Sequence, residues 1–448
     1  MSPNTQQQPT PNDANQQSLR LHRRYRGKLE TAVKCPIRGF DDFGIWYTPG
    51  VAAPCRAIQS RPDEVYEYTN KGNTVAIVSD GTRVLGLGNI GPEAGLPVME
   101  GKALLFKYLG GVDAVPLCLR SRDLEELIRA VEMLEPAFGG INLEDISQPN
   151  CFHVLDTLRQ RLSIPVWHDD QQGTATVALA GLMNALAVVG KQLAEVRIAL
   201  VGIGAANVAT YRMLVAAGAD PTRIIAVDRQ GTLHRSRRDL ERQQNVFVDK
   251  WRVCCESNGG QVTGGIAEAL RHTDACLAFS SPGPDTIRPE WIRAMQRDAI
   301  VFACANPVPE IWPALAHQAG ARIVATGRSD FPNQVNNSLV FPALFRGTLD
   351  VRARAITSGM ATAAAQELAA VARENGLRAD RILPRMDDLE LVLRVAVAVG
   401  LQAQQEGVAS LEQSAAELRD RAECTINRAR AITHSLMKAA LIPPAESE

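Results

Sequence analysis

The sequence lacks an excess of charge of either sign. Its 448 residues carry 48 Lys and Arg against 49 Asp and Glu, which gives a net charge of −1. Proteins that bind nucleic acid or an anionic membrane surface usually carry a marked basic excess. The balance therefore predicts small molecules as the main partners, with no nucleic acid and no membrane.

Regularly spaced cysteine pairs are also missing. Nine cysteines are scattered along the chain without a CxxC pair, which favours free thiols in a reducing cytoplasm over a disulfide framework. The first residues lack the basic and apolar regions of a signal peptide. Their Gln, Asn and Pro content predicts a disordered tail over residues 1–20. We therefore expect a cytoplasmic location.

Long hydrophobic runs are scarce. One uncharged stretch, residues 171–190, has the length of a transmembrane helix. It is poor in Leu, Ile and Phe and contains Thr174, Thr176 and Asn184, so that its insertion into lipid would be weakly driven. We predict a buried helix instead.

From Gly190 onward, short apolar runs alternate with longer helical stretches. Runs that are apolar on both faces and rich in β-branched residues suit parallel strands covered by helices. These runs are residues 197–201, 223–228, 275–281, 299–305 and 322–327. The repetition of strand and helix predicts a doubly wound, Rossmann-type α/β domain, which we assign to residues 166–355.

Two further regions flank this domain. Residues 21–165 combine strands such as 74–80 with Gly-rich turns and a helix at 122–134, which predicts a separate N-terminal α/β domain. Residues 356–448 are Ala- and Glu-rich with helical periodicity. We expect them to form C-terminal helices that pack on the domains or between subunits.

A glycine pair follows the first strand of the doubly wound domain and opens a helix that reaches about Gly218. Backbone N–H groups at such a turn can bind a pyrophosphate at the positive end of the helix. The next strand ends in an aspartate that can accept from an adenosine ribose hydroxyl. A Gly-rich turn without a ligand is the alternative. The predicted NAD or NADP site comprises Gly202, Ile203, Gly204, Ala205, Ala206, Asn207 and Asp228.

Two features bear on this cofactor site. Asn207 stands where a Gly or Ala normally permits close packing, so we expect it to hold the helix off the strand and weaken binding, unless its amide reaches the pyrophosphate. Asp228 favours NAD, whereas an arginine cluster just beyond it could pair with the 2′-phosphate of NADP. The cluster consists of Arg229, Arg235, Arg237 and Arg238.

Carboxylates follow two apolar segments, as Glu144-Asp145 and as Asp169-Asp170. Carboxylates at the ends of buried strands are costly unless they are compensated, and a divalent cation compensates them directly. Oxygen ligands without paired Cys or His suit Mg²⁺ or Mn²⁺. A helix N-cap and a surface turn are the alternative interpretation of the two pairs.

Lys102 lies in an otherwise apolar segment that begins with a Gly-rich turn. Burial and a nearby cation would lower its pKa, so that it could act as a general base near neutral pH. A lysine that extends its amine to solvent is the alternative.

Six ordered motifs carry a family resemblance. They are residues 47–52 (YTPGVA), 75–107, 143–146 (LEDI), 168–175 (HDDQQGTA), 306–307 (NP) and 329–337 (SDFPNQVNN). Together they resemble malic enzymes of the small bacterial type over about residues 20–350. The resemblance implies oxidative decarboxylation of (S)-malate to pyruvate and CO₂, with reduction of NAD(P)⁺ and dependence on Mg²⁺ or Mn²⁺. It also implies a homodimer or a higher homo-oligomer.

The resemblance implies a role for individual residues as well. The catalytic set is Tyr47 as general acid, Lys102 as general base and Asp169 as a supporting carboxylate. The metal ligands are Glu144, Asp145 and Asp170. Substrate contacts fall to Arg83 and Asn337, and further cofactor contacts fall to Asn306 and Asn336.

Two other functions compete with this one. An oxaloacetate decarboxylase or malolactic-type lyase would use the same metal site without net redox chemistry, and Asn207 is the feature that supports it. A non-catalytic binding or regulatory relative would be expected to lack Lys102, Tyr47 or an acidic ligand, and the sequence has all of them. The choice between NAD and NADP, oligomer size, effectors and physiological direction stay open.

Overall fold

The computed structural model describes residues 11–445 and begins with four short exposed helices. These are α1 (Pro11–Tyr25), α2 (Asp42–Trp46), α3 (Ala52–Ser60) and α4 (Val65–Tyr68). The predicted disordered tail was wrong for residues 11–20, which belong to α1, while residues 1–10 lie outside the described part. The end of α1 is anchored by the Tyr25 hydroxyl, which donates to the carbonyl of Pro443 at 2.7 Å.

The N-terminal domain is built on a four-stranded parallel sheet in the order β2-β1-β3-β4. Its elements are β1 (Thr74–Ser79), α5 (Pro92–Gly110), β2 (Asp113–Cys118), α6 (Leu124–Glu132), β3 (Gly140–Leu143), α7 (Asn150–Arg161) and β4 (Val166–His168). The predicted α/β domain is therefore confirmed. Its boundary at residue 165 was wrong, because β4 pairs with β3 and completes this sheet.

The connection to the second domain is a single continuous path. β4 runs into a π-helical turn, Asp169–Gly173, and then directly into α8 (Thr174–Val189). One helical stretch among the described residues, Asp169–Val189, is long and apolar enough to cross a membrane. Most of it is buried, and the Asn184 amide donates to two backbone carbonyls at 2.9 and 3.1 Å. The prediction of a buried helix is confirmed.

The second domain contains a six-stranded sheet in the order β10-β9-β8-β5-β6-β7. Its elements are β5 (Ile198–Val201), α9 (Ala205–Ala216), β6 (Ile224–Asp228), β7 (Gly231–Thr232), α10 (Arg238–Arg242), α11 (Val248–Glu256), α12 (Ile266–Leu270), β8 (Ala275–Ala278), α13 (Pro289–Arg293), β9 (Ala299–Ala303), α14 (Pro313–Gln318) and β10 (Ala321–Thr326). The five predicted strands are confirmed and run parallel, whereas the antiparallel edge strand β7 was not predicted.

Four further helices join the two sheets. They are α15 (Phe341–Asp350), α16 (Ser358–Glu374), α17 (Leu389–Gln405) and α18 (Ala415–Lys438). α15 packs against α5 of the N-terminal domain, where the ring of Phe106 lies 4.6 Å from that of Phe341 and 5.3 Å from that of Phe345. α18 also contacts α5, and α16 packs on α8. The C-terminal helices therefore pack on both domains, as expected.

Candidate active site

The two acidic pairs meet at the carboxyl edge of the N-terminal sheet. Leu143 of β3 pairs with His168 of β4, and parallel strands place the residues that follow them side by side. Glu144 and Asp145 therefore lie next to the Asp169–Gly173 turn, and the Asp145 N–H donates to Oδ2 of Asp170 at 2.7 Å. We call Glu144, Asp145, Asp169 and Asp170 the acidic cluster.

Lys102 projects from α5 into this cluster. Its Nζ lies 2.7 Å from Oε1 of Glu144 and also bonds Oδ2 of Asp169. The same Nζ lies 4.5 Å from the centre of the Phe341 ring. With only 8% of the residue exposed, Lys102 is buried and paired rather than extended to solvent.

Electrostatics within the cluster are dominated by burial and by like charge. Burial raises the pKa of Glu144 well above its usual value, and burial together with Asp170 raises the pKa of Asp145 to about 8. Burial alone would lower the pKa of Lys102, but the carboxylates, led by Asp169, outweigh it and raise that pKa. The predicted lowering includes the effect of a nearby cation, so it stays a prediction for the metal-bound site.

Neighbouring side chains fix the cluster in place. The Asn142 amide donates to Oε2 of Glu144 at 3.0 Å, and the Trp167 indole N–H donates to Oδ1 of Asp169 at 3.0 Å. Asp145 has a left-handed backbone with φ of 54°, and its carbonyl accepts from the Arg83 N–H at 3.0 Å. A non-glycine residue in that region marks a locally constrained site.

The donor set of the cluster fits a hard divalent cation. Buried carboxylates outnumber the one buried lysine, and Oδ2 of Asp145 is buried without a hydrogen-bond partner, which is a costly state unless a ligand supplies the contact. Within residues 11–445, no three acidic, His or Cys side chains converge as they stand on a common metal position. The Lys102 amine lies between Glu144 and Asp169, so binding an ion through Glu144 would require that pairing to change.

Three predicted amide residues border the cluster or the facing domain. A Cβ added to Gly173 would lie 3.1 Å from Cβ of Asn337, which places Asn337 beside the turn that carries Asp170. A Cβ added to Gly86 would lie 2.4 Å from the carbonyl oxygen of Asn306, so the loop after β1 reaches the end of β9. Asn336 uses its side-chain oxygen to accept from the Ser338 N–H at 2.9 Å.

The predicted dinucleotide turn has the required backbone. Gly202 has φ of +83°, and an added Cβ would lie 2.7 Å from that of Ser280, so only glycine fits this position. Gly204 caps the start of α9, and an added Cβ would lie 3.9 Å from Nε2 of Gln148. Ala205 and Ala206 are partly exposed on the first turn of α9, whereas the Ile203 side chain is buried and can present only its backbone.

Asn207 does not hold α9 away from the sheet. Its side chain is fully buried, and its amide donates to the carbonyls of Val201, Gly202 and Leu277 at 3.0, 2.9 and 3.2 Å. The amide therefore fastens the helix to the ends of β5 and β8. The side chain therefore packs between α9 and the sheet without separating them, and its effect on cofactor affinity stays a prediction.

We expect Asn207→Ala to lower the free energy of unfolding by about 2–3 kcal/mol, because three carbonyls at the strand ends each lose the hydrogen bond from its amide. Loss of the anchor should also raise the Kd for NAD(P). Urea unfolding and cofactor titration measure the two effects. Thr210→Ala is the matched control, since it removes a buried bond within α9, to Ala206, and touches neither strand. Unchanged stability in Asn207→Ala would contradict the anchoring role.

Asp228 ends β6 next to the glycine turn, but its carboxylate is already paired. Nη1 and Nη2 of Arg237 lie 3.0 and 3.1 Å from its two oxygens, and the same guanidinium donates to both oxygens of Asp239. Arg237 is buried. Elsewhere in the arginine cluster, Arg235 donates to a backbone carbonyl and Arg238 pairs with a glutamate. Most side chains of the arginine cluster therefore already bind groups of the protein itself.

Tyr47 and Arg83 differ from the other predicted residues in being exposed. Tyr47 follows α2, its residue is 70% exposed, and among residues 11–445 its hydroxyl has no hydrogen-bond partner. Arg83 lies beside the cluster through its backbone, while its guanidinium donates to the Leu85 carbonyl at 2.7 Å. The structure therefore does not bring the Tyr47 hydroxyl to the Lys102 amine within one chain.

One important buried group was missed by the sequence analysis. Glu310 is fully buried and accepts from the N–H and hydroxyl of Ser280 and from the N–H of Ala305. Burial raises the pKa of this carboxyl. It ties together the ends of β8 and β9 just before Asn306. No local motif marks it, because its partners come from two separate strands.

Comparison with known families matches most of the chain. The family model described as the N-terminal domain of malic enzyme matches residues 26–122 and 119–159, and the one described as the NAD binding domain of malic enzyme matches residues 171–404. The two matched ranges leave residues 160–170, which include β4, between them. The second range also includes α16 and most of α17.

Individual relatives of the chain are also named as malic enzymes. The chain is 49% identical to an NAD-dependent malic enzyme of Geobacillus stearothermophilus over 86% of its own length and 78% of the relative. It is 44% identical to a bifunctional malic/malolactic enzyme of Bacillus subtilis, over 88% and 94% of the two chains. An NADP-dependent malic enzyme of Halomonas elongata is 41% identical, over 86% and 92%.

Solved structures show the same similarity. The malic enzyme of Entamoeba histolytica superimposes with a TM-score of 0.94 at 44% identity, and covers 99% of this chain and 93% of its own. The malic enzyme of Pyrococcus horikoshii gives a TM-score of 0.89 at 45% identity, over 95% and 99% of the two chains.

Proposed function

Because this chain belongs to the malic enzyme family, we propose that it catalyses the oxidative decarboxylation of malate to pyruvate and CO₂ with NAD(P)⁺ as the hydride acceptor. The observation that carries the assignment is the buried Lys102 within the acidic cluster, at the sheet edge that adjoins Asn306 of the dinucleotide domain. A base, a set of hard oxygen ligands and a dinucleotide turn are the groups that this reaction needs.

Each group has a distinct part in the reaction. Glu144, Asp145 and Asp170 would hold Mg²⁺ or Mn²⁺, which supplies orientation of malate and stabilisation of negative charge at its C2 oxygen. With a cation bound by the carboxylates that otherwise raise its pKa, the neutral amine of Lys102 would accept the C2 hydroxyl proton, and the nicotinamide would supply the hydride acceptor. Asp169 orients the amine. After CO₂ departs, Tyr47 protonates C3 of the enolate to give pyruvate. The Phe341 ring covers the amine and limits access of water.

The assignment is tested by incubating the purified protein with malate, Mn²⁺ and NAD⁺ or NADP⁺. We expect one NAD(P)H to form for each pyruvate, with no turnover when chelator replaces the metal. Failure to form pyruvate and NAD(P)H from malate, together with release of pyruvate from oxaloacetate in a parallel incubation, would contradict the oxidative assignment and favour a decarboxylase of oxaloacetate.

A second candidate function is the non-oxidative conversion of malate to lactate. It is supported by the relative from Bacillus subtilis whose name includes malolactic activity. Asn207 no longer supports it, since that residue is an anchor between helix and strands. Lactate measured in the same reaction mixture separates the two: release of NADH with pyruvate supports the first function, and lactate without net NADH supports the second.

The proposal extends to NAD rather than NADP as the preferred cofactor. Support comes from Asp228, whose single buried counter-ion is shared with Asp239, so that two carboxylates face one guanidinium. This pairing occupies the Arg237 guanidinium, which is then unavailable to a 2′-phosphate, while the free lone pairs of Asp228 can still accept from a ribose hydroxyl.

We expect kcat/KM with NAD⁺ to exceed that with NADP⁺ by about tenfold or more, which corresponds to at least ~1.4 kcal/mol. Asp228→Ser should reduce this ratio, because it weakens the binding of NAD⁺ and leaves Arg237 free to bind the 2′-phosphate of NADP⁺. Asp239→Ser is the matched control, because it removes the other carboxylate on the same guanidinium. An unchanged ratio in Asp228→Ser would remove Asp228 from cofactor selection.

A cytoplasmic location also remains part of the proposal. Its support is that all nine cysteines are unpaired in the structure, as the prediction of free thiols required.

A further inference from the structure

Glu310 is a buried carboxylate to which the proposed reaction gives no task. The residue has no exposed surface and lies in the loop between β9 and α14. Burying a carboxylate is costly unless hydrogen bonds replace the water that it loses. The donors that supply these bonds therefore indicate which parts of the chain the residue holds together.

The donors come from two neighbouring strands. Oε1 of Glu310 accepts from the N–H of Ser280 at 2.7 Å and from its hydroxyl at 2.9 Å. Oε2 accepts from the N–H of Ala305 at 3.0 Å. Ser280 follows β8 and Ala305 follows β9. An ionised carboxylate only accepts hydrogen bonds, so it satisfies all three donors at once and bridges the two strands.

The bridge begins where the sheet itself stops connecting these strands. The pairing of β8 with β9 ends at Ala278 and Ala303, and a last bond runs from the Cys304 N–H to the Ala278 carbonyl at 3.0 Å. Within the described residues, no main-chain hydrogen bond joins residues 279–282 to residues 305–307. The carboxylate of Glu310 therefore takes over the connection beyond the sheet.

The end of β8 is also fixed independently of this bridge. The Phe279 N–H donates to the Val201 carbonyl at 3.1 Å, which ties the end of β8 to β5. A Cβ added to Gly202 would lie 2.7 Å from that of Ser280. The strand order reverses between β5 and β8, and open α/β sheets bind ligands at such a point. Ser280 is thus held beside the dinucleotide turn.

The end of β9 depends more strongly on the bridge. Among residues 11–445, the bond from Ala305 to Glu310 is the one hydrogen bond donated by a main-chain N–H of residues 305–307. The next residue is Asn306, to which the family resemblance gives a cofactor contact. Its Nδ2 would lie 2.6 Å from a Cβ added to Gly327, so little space separates it from the end of β10.

Both bridged segments contact the N-terminal domain. A Cβ added to Gly86 would lie 2.4 Å from the carbonyl oxygen of Asn306 and 2.8 Å from Cγ of Pro282. Gly86 belongs to the loop after β1, which is bonded to the acidic cluster through the Arg83 N–H and the Asp145 carbonyl. A change in the spacing of the two strand ends would therefore move Asn306 relative to the acidic cluster.

We propose that Glu310 is a positioning residue for hydride transfer, which fixes Asn306 against the end of β8 and so aligns the nicotinamide half of the cofactor with malate at the acidic cluster. Because it is fully buried, it acts through Asn306 and not on the cofactor itself. The adenosine and pyrophosphate half depends on it little, since the Phe279 bond already holds the switch point. The inference rests on the proposed function, because a nicotinamide contact has a task only if hydride is transferred.

Glu310→Gln tests this role through the two halves of the cofactor. The variant keeps the shape of the side chain, but its amide nitrogen is a donor and must face an N–H of one strand. We expect the Kd of NADH to rise about tenfold and that of ADP-ribose, which lacks nicotinamide, to stay within about twofold. Fluorescence titration and calorimetry measure the two constants. Equal losses for both ligands would overturn the proposal.

Asp274→Asn is the matched control, because it changes an acid that connects two strands at the opposite edge of the same sheet. Asp274 precedes β8 and accepts from the N–H of Arg197, which precedes β5, at 2.9 Å, and from the Lys191 amine at 2.7 Å. The variant should lower stability in urea and leave both Kd values unchanged. A loss of NADH affinity as large as that in Glu310→Gln would assign the effect to sheet stability and overturn the proposal.

Combination with Asn306→Ala shows whether Glu310 acts through that residue. The double variant should bind NADH about as weakly as Asn306→Ala alone, because the positioned group is already absent. Multiplication of the two single losses would overturn the proposal, and so would an Asn306→Ala variant with wild-type affinity.

Two further measurements keep the test interpretable. Glu310→Asp, which is one methylene shorter and reaches only one strand, replaces Glu310→Gln if that variant fails to fold, and the same difference between NADH and ADP-ribose is expected. Equal affinities of Glu310→Asp and wild type for NADH would overturn the proposal. If wild type binds neither NADH nor ADP-ribose, the proposed function fails before any variant is made.

Discussion

Replacing Lys102 with alanine should lower kcat/KM for malate oxidation by roughly 10²–10⁴-fold, the range typical of a lost general base. The residue has no obvious substitute, since its amine is buried between Glu144 and Asp169 and is covered by Phe341. Steady-state rates with saturating Mn²⁺ and cofactor give the measurement. Cofactor Kd should stay within about threefold of wild type, because the dinucleotide turn lies on the other domain.

Lys107→Ala serves as the matched control for this variant. Lys107 lies on the same helix, but its amine bonds Asp113 at 2.6 Å and is partly exposed. We expect that variant to keep nearly full activity. If Lys102→Ala were folded and equally active, Lys102 would have no role in proton transfer, and the assignment of the reaction to this cluster would fail.

The second large effect concerns the cation. Asp170→Asn should weaken Mn²⁺ binding by at least ~100-fold, since even partners outside the ligand set commonly contribute 10–100-fold to metal affinity. The physical reason is that the cluster loses one negatively charged oxygen ligand. The amide oxygen of the new residue can still accept the hydrogen bond from the Asp145 N–H. Isothermal titration calorimetry, or electron paramagnetic resonance during a titration with Mn²⁺, measures the change in affinity directly.

Asp156→Asn provides the comparison, as an exposed aspartate on α7 of the same domain. It should leave both Mn²⁺ affinity and turnover unchanged. Dinucleotide binding should survive in both variants. Equal Mn²⁺ affinity in Asp170→Asn and wild type would show that the ion, if it is needed, binds elsewhere.

Sequence analysis predicted those parts of the site whose position follows from strand topology alone. Glu144 and Asp170 each follow a short apolar strand, and parallel strands bring the residues after them together, as Leu143 and His168 confirm. The environment of a side chain was harder to predict where several elements of the fold surround it. In the chain without a cation, the carboxylates facing the Lys102 amine raise its pKa, and their number depends on how α5 is rotated against the sheet, which the sequence does not show.

Asn207 illustrates a second limit. Its departure from a small residue indicates something unusual, but a sequence does not show whether an amide points outward to a ligand or inward to strand carbonyls. The inward orientation is set by the ends of β5 and β8, and β8 lies about seventy residues away. The exposure of Tyr47 could not be predicted either, because a motif does not indicate which surface its loop contacts.

The unbroken path from β4 through Asp169–Gly173 into α8 has a consequence for protein engineering. No linker separates the two domains at this point, so the boundary offers no place where an added residue could be absorbed. One inserted residue would rotate Asp169 and Asp170 by about 100° relative to α8 and advance them by about 1.5 Å. Chimeras that exchange the dinucleotide domain between relatives should therefore be joined after α8, with the acid pair and its helix inherited as one block.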